Sequence, residues 1–150
     1  MSYRDALAGR ASLPKQLYHI TVCTHHRQPF FADWQTGRLV VQELKRLQQE
    51  NRVDSIAWVL MPDHIHWLMQ LSDSASSLSD ALRILKGRSA RAVNKYLARE
   101  GRLWQRGFHE HAIRDDEDIQ HIARYIVTNP LRAKLVGRIA DYPLWDAIWL

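Results

Sequence analysis

The segment Val59-Leu60-Met61-Pro62-Asp63-His64-Ile65-His66-Trp67-Leu68-Met69 limits the folds open to this chain more than any other. Proline removes a ladder donor and aspartate favours turns, so Met61-Pro62-Asp63 reads as a tight turn inside an apolar run. Ser55–Leu60 before it and His64–Leu71 after it then read as two antiparallel strands. Alternate side chains of a strand share a face, so His64 and His66 project together while Ile65 points the other way. Two imidazoles on one half-apolar face carry a burial cost unless something satisfies them. A bound metal ion is one such partner, and neighbouring histidines are a common start of a metal site.

The remaining pattern places that hairpin in a larger sheet. Leu17–Cys23 alternates and is β-branched, which predicts a strand. His25–Asp33, with Pro29, reads as a loop. Thr36 is placed as the cap of a helix running to about Asn51, with Leu39, Val40, Glu43, Leu44 and Leu47 setting its period. Ser72–Ser77 reads as a loop, and a helix from Ser77 or Ser79 to about Glu100 follows, stopped by Gly101. Gly107–Ile113 is a further strand with alternating His109 and His111. Asp115 or Asp116 caps a last helix through Asn129, with Pro130 as its stop. The order strand, helix, strand, strand, helix, strand, helix predicts an α+β fold, a ferredoxin-like split βαβ sandwich with helices on one face of an antiparallel sheet. A length of 150 residues suits one domain, 1–150, with a loosely ordered arm at 1–14 and a tail at 131–150 that includes a short helical piece.

The last helix carries the second chemical signal. Tyr125 and Asn129 stand four apart, hence on one face of a regular helix, with His121 one turn earlier. A phenol is a poor nucleophile unless it loses its proton as it attacks. A tyrosine beside a metal-polarised phosphate suits phosphoryl transfer. Asn129 offers a carbonyl oxygen as a third ligand, and His121 is a weaker candidate. Imidazole ligation favours Mn²⁺ or another transition ion on chemical grounds, while abundance favours Mg²⁺. His109 and His111 repeat the spacing of His64 and His66 as an alternative pair. His25 and His26 fall on opposite sides of an extended chain and do not chelate together.

Charge points to an anionic partner. Lys and Arg total 21 against 16 Asp and Glu, a balance that suits nucleic acid. Arg83, Lys86, Arg88, Arg91, Lys95 and Arg99 fall on the second helix, and the last four of its arginines and lysines make a basic stripe opposite the apolar one. Arg102, Arg106, Arg132, Lys134 and Arg138 add charge. Trp34, Trp67 and Trp104 are candidates for stacking on unpaired bases. Cys23 is the single cysteine, so no internal disulfide forms. No secretory leader or membrane-length apolar run is present, which reads as a cytoplasmic protein without a membrane partner.

Together these segments resemble the HUH single-tyrosine transposases, and in particular the REP-associated tyrosine transposases. The resemblance rests on Met61-Pro62-Asp63-His64-Ile65-His66-Trp67, on Tyr125-Ile126-Val127-Thr128-Asn129-Pro130-Leu131-Arg132-Ala133, and on Trp104-Gln105-Arg106-Gly107-Phe108 and Tyr142-Pro143-Leu144-Trp145. It implies an HUH domain in which His64, His66 and Asn129 hold a divalent ion. Tyr125 would form a 5′-phosphotyrosine on single-stranded DNA folded into an imperfect hairpin, and a later strand would rejoin to it. It implies either a monomer or a homodimer. Insertion-sequence relatives often carry Gln where Asn129 stands. A hairpin-binding module without chemistry and a replication-type HUH nickase are the competing readings.

Overall fold

The computed structural model describes residues 16–72 and 77–148. The N-terminal arm and the middle of the serine-rich loop lie outside the described residues. Five strands form one sheet, β1 (Leu17–Cys23), β2 (Val53–Met61), β3 (His64–Leu71), β4 (His109–Ala112) and β5 (Trp145–Ala147), in the order β4-β1-β3-β2-β5. Every neighbouring pair is antiparallel. The central hairpin is as the Pro-Asp turn requires: Met61 pairs with His64 and Trp58 with Trp67.

Two long helices, α1 (Trp34–Gln49) and α2 (Leu78–Leu97), pack on each other and on one face of the sheet. That face carries Ile20, Val22, Trp58, Leu60, Ile65 and Trp67, all buried. The fold class is the expected one, with a difference in the third helix, α3 (Ile119–Val127). β2 is buried without alternation from Ile56 to Met61, and a strand buried on both sides needs cover on both. α3 supplies the second cover: it packs on β2, β3 and β5 and buries Ile119, Ala123, Ile126 and Val127. It stands on the side from which His64 and His66 project.

Element ends differ from expectation where a stronger local cap competes. Asp33, not Thr36, caps α1: its carboxylate accepts from Gln35 N at 3.1 Å and from Thr36 Oγ1 at 2.8 Å, and Thr36 is buried in the first turn. α2 begins after Ser77 but ends before Gly101. Ala98 takes the left-handed conformation (φ 51°) and Arg99 N donates back to Asn94 O at 2.9 Å, a Schellman-type closure. Asp118 caps α3, and the earlier acids sit in the turn before it. Pro130 does not stop that helix. Thr128 ends it, and Pro130 enters the first turn of a separate short helix, α4 (Asn129–Arg132), where its missing N–H costs nothing.

The tail completes the core. Tyr142 Oη donates to Leu60 O at 2.6 Å, and Leu60 N donates to Leu144 O at 2.9 Å. A Cβ on Gly37 of α1 would lie 2.6 Å from Leu144 Cδ1, so a larger residue there would make the Leu144 side chain move. β5 was not visible as a strand, being three residues long and next to Pro143.

Candidate metal centre and tyrosine helix

His64 and His66 project from β3 side by side, with ring centroids 4.9 Å apart and planes at 89°. Each ring has its Nδ1 engaged. His64 Nδ1 lies 2.7 Å from Asp63 Oδ1, and the other Asp63 oxygen accepts from Arg27 Nε at 3.0 Å. His66 Nδ1 lies 3.1 Å from Thr21 Oγ1 and 3.1 Å from His19 Nε2. Both contacts follow from register, since Thr21 stands opposite His66 and His19 two residues along the same face. With both Nδ1 atoms taken, the Nε2 atoms are the ones left for a ligand. Metal-binding histidines usually have their second nitrogen oriented in this way.

Protonation favours the same role. Burial, then His64, His19 and Arg132, push the His66 imidazole down to about 3. His66 is therefore neutral near pH 7, with a lone pair available on whichever nitrogen lacks the proton. Nε2 is the free donor when Nδ1–H donates to Thr21 or His19. Burial works to raise the Asp63 carboxyl, but hydrogen bonds from His64 and Arg27 outweigh it and hold it below its usual range.

The donor set fits a divalent ion in part. Two imidazoles and one amide suit a borderline ion such as Mn²⁺. Among the described residues no group of three His, Cys, Asp or Glu side chains could hold a metal. Asn129 is half-buried at the start of α4, and Arg132 of the same short helix acts on His66. α4 packs on β2, the strand paired with the one that bears the imidazoles.

The break at Thr128 puts Tyr125 at the end of α3 and Asn129 in α4, so the two do not share one regular helix. Tyr125 is 55% exposed, and the Arg132 guanidinium lies over its ring, 3.8 Å from the centroid. Arg132 also donates to Tyr125 O and, at 2.7 Å, to Thr128 Oγ1, replacing the helical bonds lost at the break. No hydrogen bond or ring contact joins Tyr125 to His64 or His66 among the described residues. His121 is exposed, with its backbone N–H given to the Asp118 cap.

The basic stripe divides on inspection. Lys86 Nζ donates to Gln105 O and Gly107 O at 2.8 and 2.6 Å. Arg88 pairs with Glu50 at 2.8 Å, Arg99 donates to Asn94 Oδ1, and Arg83 lies 3.6 Å from Asp80. Arg91, Lys95 and Arg106 are exposed. α2 lies across the sheet from the imidazoles. Of the tryptophans, Trp67 and Trp104 are core residues held by Ser55 and Ser89, and Trp34 is 48% exposed.

Three features escaped sequence reading. His19 belongs to the site by strand parity, since Leu17, His19, Thr21 and Cys23 share a face. His109 and His111 prove to share that face too, opposite Thr21 and His19, and His111 Nε2 pairs with Glu117 at 2.9 Å. His25 and His26 do not splay on an extended chain: they lie in a 3₁₀ turn with rings 3.8 Å apart. A groove of about 440 Å³ between α1 and β5, lined in part by Leu44, Trp58 and Asp146, opens on the side away from the imidazoles.

No helix among the described residues is long and apolar enough to cross a membrane. A REP-associated tyrosine transposase from Escherichia coli K12 is 29% identical over 98 residues, covering 65% of this chain and 56% of that protein. A Haemophilus influenzae Rd protein, provisionally described as a REP-associated tyrosine transposase, is 34% identical over 99 residues, covering 60% of this chain and 56% of its own. The match therefore spans little more than half the length of these curated relatives. Among solved structures, a REP-associated tyrosine transposase bound to a REP hairpin superposes with a TM-score of 0.72 at 23% identity, over 87% of this chain and 76% of that one. Residues 12–129, which include both imidazoles, Tyr125 and Asn129, match the family model described as transposase IS200 like, and the chain belongs to that family.

Proposed function

We propose that this chain cuts single-stranded DNA at a folded hairpin and transfers the cut strand through a covalent tyrosine intermediate. The observation that carries this reading is the strand-borne imidazole pair, each ring oriented through Nδ1 and free at Nε2. His64, His66 and the Asn129 carbonyl would hold Mg²⁺ or Mn²⁺. Such an ion, when bound, draws electron density from a scissile phosphate and eases attack at phosphorus.

The chain's own residues account for the rest. The Tyr125 oxygen bonds to phosphorus and gives up its proton to solvent. The P–O bond to the 3′ oxygen breaks, and that oxygen takes a proton from solvent. A 5′-phosphotyrosine and a free 3′-hydroxyl result. A 3′-hydroxyl from another strand later attacks the same phosphorus and releases the phenol. The high-energy bond is kept in the intermediate, so rejoining needs no external energy source. The hairpin substrate is supported by the relatives' descriptions and by the exposed cations of this chain.

The test is incubation with end-labelled hairpin DNA and Mn²⁺, followed by a denaturing gel. A protein-linked fragment in the native chain, absent in Tyr125→Phe, supports the reading. Linked product that persists in that variant defeats it. A hairpin-binding module without chemistry is the second reading, favoured by the exposed Tyr125 hydroxyl, which bonds to nothing among the described residues. It predicts tight hairpin binding with no linked product.

A further inference from the structure

Just beyond the point where β1 pairs with His64, the chain builds a cluster of cations unlike the stripe on α2. His25 N donates to Leu103 O at 2.8 Å, and Thr24 bridges to Trp104. These bonds seat Arg102 beside the His25–His26 turn. Arg99 reaches the same place, with one guanidinium nitrogen 3.4 Å from Arg102 O and its plane 4.6 Å from the Phe30 ring centroid. Among the described residues no ion pair joins Arg99 or Arg102 to a carboxylate. Burial, then His26, Arg102 and Arg99, hold His25 below its ordinary value, as expected where cations crowd.

The turn is built rather than loose. His26 and Arg27 both have φ of 55°, a conformation that non-glycine residues rarely take in succession. It is held by Arg27 N to Thr24 O at 3.0 Å, Gln28 N to His25 O at 3.2 Å, and Thr24 Oγ1 to Gln28 O at 2.8 Å. Backbone held in an uncommon region by surrounding bonds is a common mark of functional turns. His26 is exposed at the tip of the turn, while Arg27 folds back to Asp63. The turn is also tied to the residue before His64, since Thr24 N and Oγ1 both donate to Asp63 O, at 2.9 and 3.2 Å.

We infer that His25, His26, Arg99 and Arg102 form a phosphate-binding subsite that holds the backbone of the single strand next to the imidazole pair. This deepens the proposed function and rests on that reading for the identity of the strand. Arg102 and His26 are the contacting groups. Phe30 and Asn94 hold the Arg99 guanidinium in place, and a planar guanidinium held in this way suits a phosphodiester. Arg99 lies past the end of α2; of the other stripe residues, Arg88 is engaged by Glu50, and Arg91 and Lys95 are exposed with no bond toward the imidazoles among the described residues.

The experiment is a salt titration of binding to a fluorescein-labelled single-stranded oligonucleotide carrying a hairpin. It uses the native chain, Arg102→Gln, the double variant Arg102→Gln/His26→Asn, and Arg38→Gln as an equal charge change on exposed α1. Asparagine tolerates the left-handed backbone at position 26, and circular dichroism reports that each variant is folded. The double variant is expected to bind about tenfold more weakly. Its log–log salt slope should be about one unit shallower, and Arg38→Gln should match the native chain. An unchanged slope in the folded double variant, or an equal loss in Arg38→Gln, overturns the subsite. Linked product is scored in parallel with native protein. A shallower slope without linked product leaves the subsite standing and removes the transferase reading; linked product with an unchanged slope does the reverse.

Discussion

The imidazole pair and Tyr125 are built to different standards of rigidity. His64 and His66 ride on the middle strand of a five-stranded sheet, and each has a second residue, Asp63 or Thr21 and His19, holding its far nitrogen. Tyr125 rides on the end of a nine-residue helix, half-exposed, with its ring under Arg132 and its hydroxyl bonded to nothing among the described residues. A sheet interior fixes position through many shared bonds, whereas a helix end beside a break fixes it through few. Under the proposed function, the half meant for the ion would be held more firmly than the half meant for the nucleophile.

The largest expected effect falls on the half meant for the nucleophile. Tyr125→Phe removes the nucleophile and should lower linked product by about 10⁴-fold or more. Hairpin affinity and melting temperature should stay near native, because the lost hydroxyl supports nothing in the fold. A matching fall in melting temperature would make Tyr125 a structural residue and erase the contrast. On the fixed half, His66→Ala should weaken Mn²⁺ binding, measured by calorimetry, by at least about 100-fold. Undiminished Mn²⁺ affinity would take the ion away from this face altogether. Asp63→Asn is the milder cut. It replaces the carboxylate that orients His64 and accepts from Arg27, and should weaken Mn²⁺ about tenfold while leaving the hairpin turn folded.

The smallest effect is in pH. His66 titrates near 6.5 when unfolded and at about 3 in the fold. Between these values the unfolded chain binds more protons, so stability falls as pH drops from about 6.5 toward 3. In chelator, His66→Gln should flatten the loss of melting temperature across that window relative to native protein. Parallel curves would mean that His66 is not the buried neutral group described here.

The sheet was legible wherever one face is wet. β1 alternates and β3 carries a polar face in an apolar run, so both ends of both strands could be read. β2 has no alternation from Ile56 to Met61, and that run itself signals cover on both faces, which a one-sided arrangement of helices does not supply. The site was legible in its chemistry but not in its supports. His64 and His66 declare themselves by spacing, whereas His19 and Thr21 join them only through pairing that no local pattern reveals. The four-residue spacing of Tyr125 and Asn129 was read as one helix face. Thr128 breaks it, and a proline at 130 suits the first turn of a new helix as well as the stop of an old one.

Gly37 gives the last segment of the chain its foothold. Gly37 of α1 lies under the Leu144 side chain, whose Cδ1 would be 2.6 Å from an added Cβ. A larger residue would force Leu144 to turn aside just before β5, the strand that covers the outer rim of β2 and its ladder groups. The glycine thus keeps the closing segment seated.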